Sequence, residues 1–444
     1  CNGQATATAP SIEADAAIAE AARHAGPHAR GICRQRHRQA GQGATGIAAA
    51  TGTRFPLFMA MREFGDVIAF DQRGTGRSKP SLLCKDRFSL SPEIAGERAV
   101  MLEKVATYSR ACREHLQSQG IDLSAYNTEE NADDIEDLRK ALGAKKINLW
   151  GISYGTHLAL AFIKRHSTRV ERAILAGVNG LDDRRKLPSD AEETLVRISE
   201  LAKRDAELAG VVPDLYALIK SVLSNLDNGD VSTEVINPAT QKAEKIAISK
   251  LDAQFLIAQN LGNSRFIRSM PAMFYAMSKG DYTEFGRNLA GLKFGGFPPS
   301  AMYFAMDCAS DGSAERYAKI KREEGKTLLG NAFNFLIADS CEAWNVRNLG
   351  QRFRTPVRSD HPILMISGSL DGRTPPSRAE EVRKGFPNSS HLVVDGASHD
   401  DDLFLSTPVI KETILSFMRG TKLARTKTVS VEPPIAFRKP INTL

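Results

Sequence analysis

Three residues of the right chemical types stand directly after short apolar runs in this 444-residue chain: Ser153, Asp371 and His399. Ser153 is the centre of Gly151-Ile152-Ser153-Tyr154-Gly155, preceded by Ile147, Leu149 and Trp150 and followed by Leu158, Ala161 and Phe162 at helical spacing. A serine hydroxyl is a weak nucleophile, so acyl transfer needs its Oγ held proud of the scaffold, beside a base and at a helix N-terminus. A strand, a sharp turn flanked by two glycines and a helix achieve this, and they aim the Tyr154 N–H and the helix dipole at the oxyanion that forms. Asp371 follows Ile363-Leu364-Met365-Ile366 within Ser367-Gly368-Ser369-Leu370-Asp371-Gly372-Arg373-Thr374-Pro375. His399 follows Leu392-Val393-Val394 within Asp395-Gly396-Ala397-Ser398-His399. In these positions His399 takes the Ser153 proton and returns it to the leaving group, while Asp371 fixes the imidazole tautomer.

Other histidines and carboxylates are less well placed. His157 lies inside the helix that follows the serine, and His361 and His391 come before or at the start of their strands. Asp395 is close to His399 in sequence but offers no separate acid loop. The order serine, acid, histidine is that of α/β-hydrolases rather than of chymotrypsin or subtilisin.

The elements around these residues alternate. Strands are expected at Val67 to Phe70, 146 to 150, 173 to 177, 363 to 366 and 391 to 394, and helices at 55 to 64, 128 to 143 and 407 to 419. That rhythm predicts an α/β fold with a mostly parallel, doubly wound sheet whose functional residues collect at the C-terminal ends of the strands. Between residues 182 and 350 the rhythm gives way to helical patterns with only weak strand candidates, which predicts an inserted helical cap. Its Met- and Phe-rich stretch, MPAMFYAMSKGDYTEFG, is expected to pack as core while the cap as a whole lines the pocket. The core is therefore assigned to 40 to 181 and 351 to 420, with 421 to 444 as a surface strap. Residues 1 to 39 keep no apolar period and read either as a disordered basic leader or as a stretch that is not the native N-terminus.

Composition excludes several classes. The 59 Lys and Arg against 52 Asp and Glu give a net charge of +7, but the basic residues are scattered, as on a solvated surface rather than a nucleic-acid face. The longest uncharged run carries Asn148, Ser153 and Thr156 and is too polar to span a bilayer. Six cysteines stand at 1, 33, 84, 112, 308 and 341 without C-x-x-C or Cys/His ligand spacing, so neither a zinc site nor any other metal or cofactor is expected. Spacing alone leaves Cys84, Cys112, Cys308 and Cys341 open between two local bridges and four buried thiols. CNGQATATAP is compatible with the start of a lipid-modified mature protein, which would make Cys1 a membrane anchor, and equally with a truncation.

DQRGTGRS, GISYG, GSLDGRTPP and GASH, in this order and with a helical insertion before the third, resemble the prolyl and tripeptidyl aminopeptidase group of α/β-hydrolases over about residues 40 to 420. The resemblance implies an oxyanion loop at Ala40-Gly41-Gln42-Gly43-Ala44-Thr45-Gly46, with Gly41 donating a second N–H beside that of Tyr154. It implies disulfides Cys84–Cys112 and Cys308–Cys341, and hence an extracytoplasmic protein. It also implies a cap carboxylate that binds the free amine of a peptide. Two departures stand out: Gln42 replaces the loop proline, and Ser310 occupies the place of the expected glutamate, with Asp311 next to it as substitute anchor. The expected activity is that of a serine hydrolase, an aminopeptidase for small or apolar N-terminal residues. A carboxylesterase with the same triad and a non-catalytic binding protein on the same scaffold are the alternatives. The expected partner is a small peptide or ester, with no nucleic acid.

Overall fold

The computed structural model describes residues 46–88, 96–229, 231–294 and 300–440. Gly41, the rest of the oxyanion loop up to Thr45, and the leader lie outside the described residues.

Five parallel strands form the main sheet in the order β1 (Ile147–Ile152), β2 (Val170–Ala176), β5 (Ile363–Gly368), β6 (Ser389–Asp395) and β7 (Thr426–Ser430). All six residues of β5 are buried, as expected for a central parallel strand covered on both faces. The period of two then sorts the side chains. Ala173, Leu175, Ile363 and Met365 pack on one face against Ala159, Phe162 and Ile163 of helix Tyr154–His166. Ile174, Ala176, Leu364 and Ile366 pack on the other against Ile410, Ile414 and Phe417 of helix Pro408–Met418.

Helix Thr128–Ala141 begins where the Asn127 side chain accepts the Glu129 and Glu130 N–H groups at 2.9 and 3.1 Å, and Glu129 and Glu130 complement its dipole. It ends before Gly143, at φ 66°. Arg73 of the DQRG loop grips this helix by a bidentate pair with Asp134, at 2.7 and 2.6 Å, and donates to the Ala125 carbonyl at 2.7 Å. Asp71 is buried and accepts the Ile47 and Arg77 N–H groups, each at 3.0 Å. The loop is thus a rigid brace.

Two expectations are corrected here. Val67 to Phe70 joins no ladder among the described residues: β1 pairs there only with β2, and the backbone packed against Phe70 is that of Gly46, which starts a helix rather than a strand. Val67 and Ile68 are accordingly exposed. The inserted region, for its part, is not purely helical: an antiparallel hairpin, β3 (Val231–Ile236) and β4 (Ala243–Ile248), packs Val235, Ile246 and Ile248 into the cap core. Met270, Met273, Phe274 and Met277 fill that same core, as their composition suggested.

The segment after Gly420 does more than strap the surface. β7 closes the sheet, and the chain then crosses to the cap, where Phe437 is buried and the Arg438 N–H donates to the Arg268 carbonyl at 2.8 Å. Disulfide Cys84–Cys112 ties a loop of the core to helix Arg98–Ser118, and Cys308–Cys341 ties helix Ala301–Ser310 to helix Cys341–Trp344.

Candidate active site

Ser153 sits between β1 and helix Tyr154–His166 at φ 55° and ψ −117°, a region that a side-chain-bearing residue occupies only under constraint. The constraint comes from both sides of the turn. The Ser153 N–H donates to the Ala176 carbonyl at the end of β2 at 2.9 Å, and its own carbonyl accepts the Thr156 N–H and Oγ1 at 2.9 and 2.7 Å. A methyl group at Gly151 would come within 2.4 Å of the Gly155 carbonyl oxygen, so the strand can turn this sharply only with glycine there. Gly155 faces open space, and its lack of a side chain serves no packing need among the described residues.

His399 and Asp371 follow β6 and β5. Asp371 is fully buried, and its Oδ2 accepts the His399 Nδ1–H and the Thr374 hydroxyl, each at 2.6 Å. Its Oδ1 accepts the backbone N–H groups of Arg373 and Thr374 at 2.9 and 3.0 Å. Burial pushes the carboxyl upward, but the His399 charge and these hydrogen bonds more than offset it and hold it at about 2. With Nδ1–H committed to Asp371, the His399 Nε2 carries the lone pair a general base needs.

The two halves meet at the end of β2. Gly177, the residue after Ala176, adopts φ 61°, and a methyl group there would lie 2.9 Å from His399 Cε1 and 3.1 Å from Thr374 Oγ1. Ser153 on one side of this strand end and His399 on the other are therefore separated by little more than one residue of backbone. The Ser153 hydroxyl bonds no side chain among the described residues, His399 included; such contacts are often long in unliganded sites and tighten when substrate arrives.

The other histidines among the described residues have structural partners. His157 is buried, its Nδ1 2.9 Å from the Gly180 carbonyl and its Nε2 3.1 Å from Ser310 Oγ, and burial together with the nearby Arg184 charge pushes it down to about 3. His391 lies between Glu380 and Ser367, at 2.6 and 2.9 Å, and His361 contacts the Ser167 carbonyl at 2.7 Å.

Ser310 and Asp311, the two expected substrate-binding positions, are both engaged within the protein. Ser310 is wholly buried and spends its hydroxyl on His157 and Thr128, the latter 3.0 Å away. Thr128 in turn lies 3.3 Å from the Tyr154 hydroxyl, so Ser310 fastens the cap to the nucleophile helix rather than facing substrate. Asp311 is engaged by Arg185 at 2.9 Å, by the Tyr317 hydroxyl at 2.6 Å and by Asn348 at 3.0 Å. Arg185, 126 residues earlier, folds against this carboxylate, a pairing no local pattern in the sequence displays.

Cap residues reach the triad by backbone instead. The Leu261 carbonyl accepts the Gly372 N–H at 2.7 Å, the Gly262 carbonyl accepts the His399 N–H at 3.0 Å, and Asp400 accepts the Ser264 N–H at 2.8 Å. Sequence reading missed this clamp, along with Arg184, Lys186, Arg373 and Thr374, although Arg373 and Thr374 stand beside Asp371 in a motif already singled out. Among the described residues no group of His, Cys, Asp or Glu is arranged to hold a metal ion, and no helix is long and apolar enough to cross a membrane.

Comparison with known proteins gives two family matches. Residues 65–215 match the alpha/beta hydrolase fold family and residues 328–430 match the family described as TAP-like protein. The chain is an α/β hydrolase with a TAP-like C-terminal region. The two matched segments contain Ser153, Asp371 and His399 between them. Tripeptidyl aminopeptidase of Streptomyces lividans is 31% identical to this α/β hydrolase over 121 residues, 26% of this chain and 22% of its own length. Serine protease Hip1 of Mycobacterium tuberculosis is 31% identical over 147 residues, 31% of this chain and 28% of its own length. Putative hydrolase YuaR of Escherichia coli is 29% identical over 144 residues, 32% of this chain and 27% of its own length. The alignments thus span less than a third of each of these curated relatives.

Proposed function

We propose that this α/β hydrolase is a serine hydrolase that cleaves amide or ester bonds through an acyl-enzyme. The observation that carries the reading is the 2.6 Å bond from buried, ionised Asp371 to His399 Nδ1, across the β2 end from a nucleophile held at φ 55°. His399 Nε2 takes the Ser153 proton as Oγ attacks the carbonyl carbon, and the tetrahedral oxyanion is met by the Tyr154 N–H at the start of its helix. Collapse expels the leaving group with the proton from His399. Water, deprotonated by the same imidazole, then releases the acid and regenerates Ser153.

Within that chemistry we read the protein as a peptidase, because two relatives are named as a tripeptidyl aminopeptidase and a serine protease. A second reading, carboxylesterase, is favoured by one observation: Asp311 is neutralised by Arg185 and is not free to hold a substrate ammonium. Matched panels of aminoacyl-arylamides and short-chain aryl esters separate the two. Faster turnover of arylamides supports the peptidase, and turnover of esters alone supports the esterase. Two disulfides persist best in an oxidising compartment, which supports an extracytoplasmic location. The test is export of the tagged full-length protein.

A further inference from the structure

The segment that follows β2 carries Asp182, Asp183, Arg184, Arg185 and Lys186 in succession. Most of its charges are matched. Arg184 and Arg185 both pair with buried Asp307, Arg185 also with Asp311, and Asp183 pairs with Arg316 at 2.6 Å. Lys186 differs. Its Nζ donates to the neutral Asn179 Oδ1 at 2.9 Å, and it forms no ion pair among the described residues. Arg373 is the second exception: its Nη1 donates to the Gln259 carbonyl at 3.0 Å and it forms no direct ion pair among the described residues, although Asp371 and Asp400 lie close enough to favour its charge. Both side chains are half-buried.

These two cations belong to the catalytic machinery by connection. Asn179, which holds Lys186, donates its N–H to Thr156 Oγ1 at 2.8 Å, and that hydroxyl donates to the Ser153 carbonyl at 2.7 Å. Arg373 lies against the base: a methyl group at Gly262 would be 2.8 Å from His399 Cβ and 2.9 Å from Arg373 Cδ. One unpaired cation is thus linked to the nucleophile turn and the other to the histidine loop. Burial foremost, then the Arg184 charge, bring the Lys186 ammonium down to about 7; Asp183 pulls the other way, and Arg316 and Arg373 add smaller downward pushes. A half-buried charge with no direct ion pair is costly, and the fold places two such cations beside the loops that carry Ser153 and His399. A bound anion removes that cost, and a guanidinium together with an ammonium suits a carboxylate.

We propose that the substrate of this site carries a carboxylate close to its scissile bond, held by Lys186 and Arg373. The proposal rests on the hydrolase reading above and gives its substrate a charge: a short peptide with its own C-terminal carboxylate, or a half-ester, rather than a substrate recognised by a free amine.

Binding is measured by calorimetry on the full-length Ser153→Ala protein at pH 6.5 and low salt, with 3-phenylpropionate and its neutral analogue 3-phenylpropionamide as probes. The carboxylate is expected to bind at least tenfold more tightly than the amide. Lys186→Gln and Arg373→Gln, each in the same background, are expected to cut that ratio below threefold, and Arg373→Lys, which keeps the charge, to retain most of it. Amide binding in each variant reports that the pocket is still formed. Equal binding of the two probes, or a ratio that survives both neutralising substitutions, overturns the proposal. Fluorophosphonate labelling of wild type tests the hydrolase reading separately, so loss of labelling with the carboxylate preference intact condemns only that reading.

Discussion

The carbonyl of Gly262, in the cap, accepts the backbone N–H of His399 at 3.0 Å. With Leu261 on Gly372 and Ser264 on Asp400, this makes one cap turn the common support of the acid loop and the base loop. Gly262→Ala places a methyl group 2.8 Å from His399 Cβ. Displacing the base by even part of an ångström is expected to lower kcat by about 100-fold, measured on an aryl ester, while the thermal midpoint moves by only a few degrees. Activity within twofold of wild type would show that the clamp does not position His399.

Asp371 gives a pH signature. Its folded value of about 2 lies below the ordinary 3.8, so the group stabilises the fold fully above that ordinary value and loses its contribution as pH falls through about 2. The shift corresponds to about 2 kcal/mol. Denaturant titrations of wild type and Asp371→Asn between pH 2 and 6 should therefore show a stability gap that narrows as the solution is acidified, together with a roughly 10⁴-fold loss of kcat in the variant at neutral pH. A gap independent of pH contradicts the assignment.

Asp311 is expected to behave as a structural residue. Asp311→Asn leaves Arg185, itself almost wholly buried, with one carboxylate instead of two, and should cost roughly 1–3 kcal/mol. The ratio of activity on free to N-acetylated aminoacyl substrates should stay within twofold. Selective loss of the free-amine substrate would restore Asp311 as an amine anchor.

The disulfides close segments of 28 and 33 residues in sequence separation. Each is expected to contribute ~2–4 kcal/mol. Cys84→Ala/Cys112→Ala and Cys308→Ala/Cys341→Ala should each lower the denaturation midpoint, and the second should also affect catalysis, because Cys308 shares a helix with Asp307 and Ser310. Unchanged midpoints would count against a stabilising role.

What the sequence disclosed follows from how local each signal is. Strand, turn and helix around Ser153 are written in contiguous residues, as are the loops bearing Asp371 and His399, so their placement was legible. β7, Thr-Lys-Thr-Val-Ser, is an exposed polar edge strand whose existence depends on β6 beside it, and no apolar pattern marks it. Val67 to Phe70 shows the converse: an apolar run looks like a strand until the absence of a neighbouring ladder among the described residues leaves it unpaired. The pairing of Arg185 with Asp307 and Asp311, and the lack of a direct ion pair for Lys186 and Arg373 among the described residues, are long-range facts that only the folded chain supplies.

The central claim is that Ser153 is a nucleophile activated by His399. Intact-mass and peptide-mapping analysis after exposure to a fluorophosphonate tests it most directly. One adduct per chain on Ser153, suppressed at least 100-fold in rate by His399→Ala, is the predicted result. An adduct on another serine, no adduct, or undiminished labelling in the His399→Ala protein would contradict it.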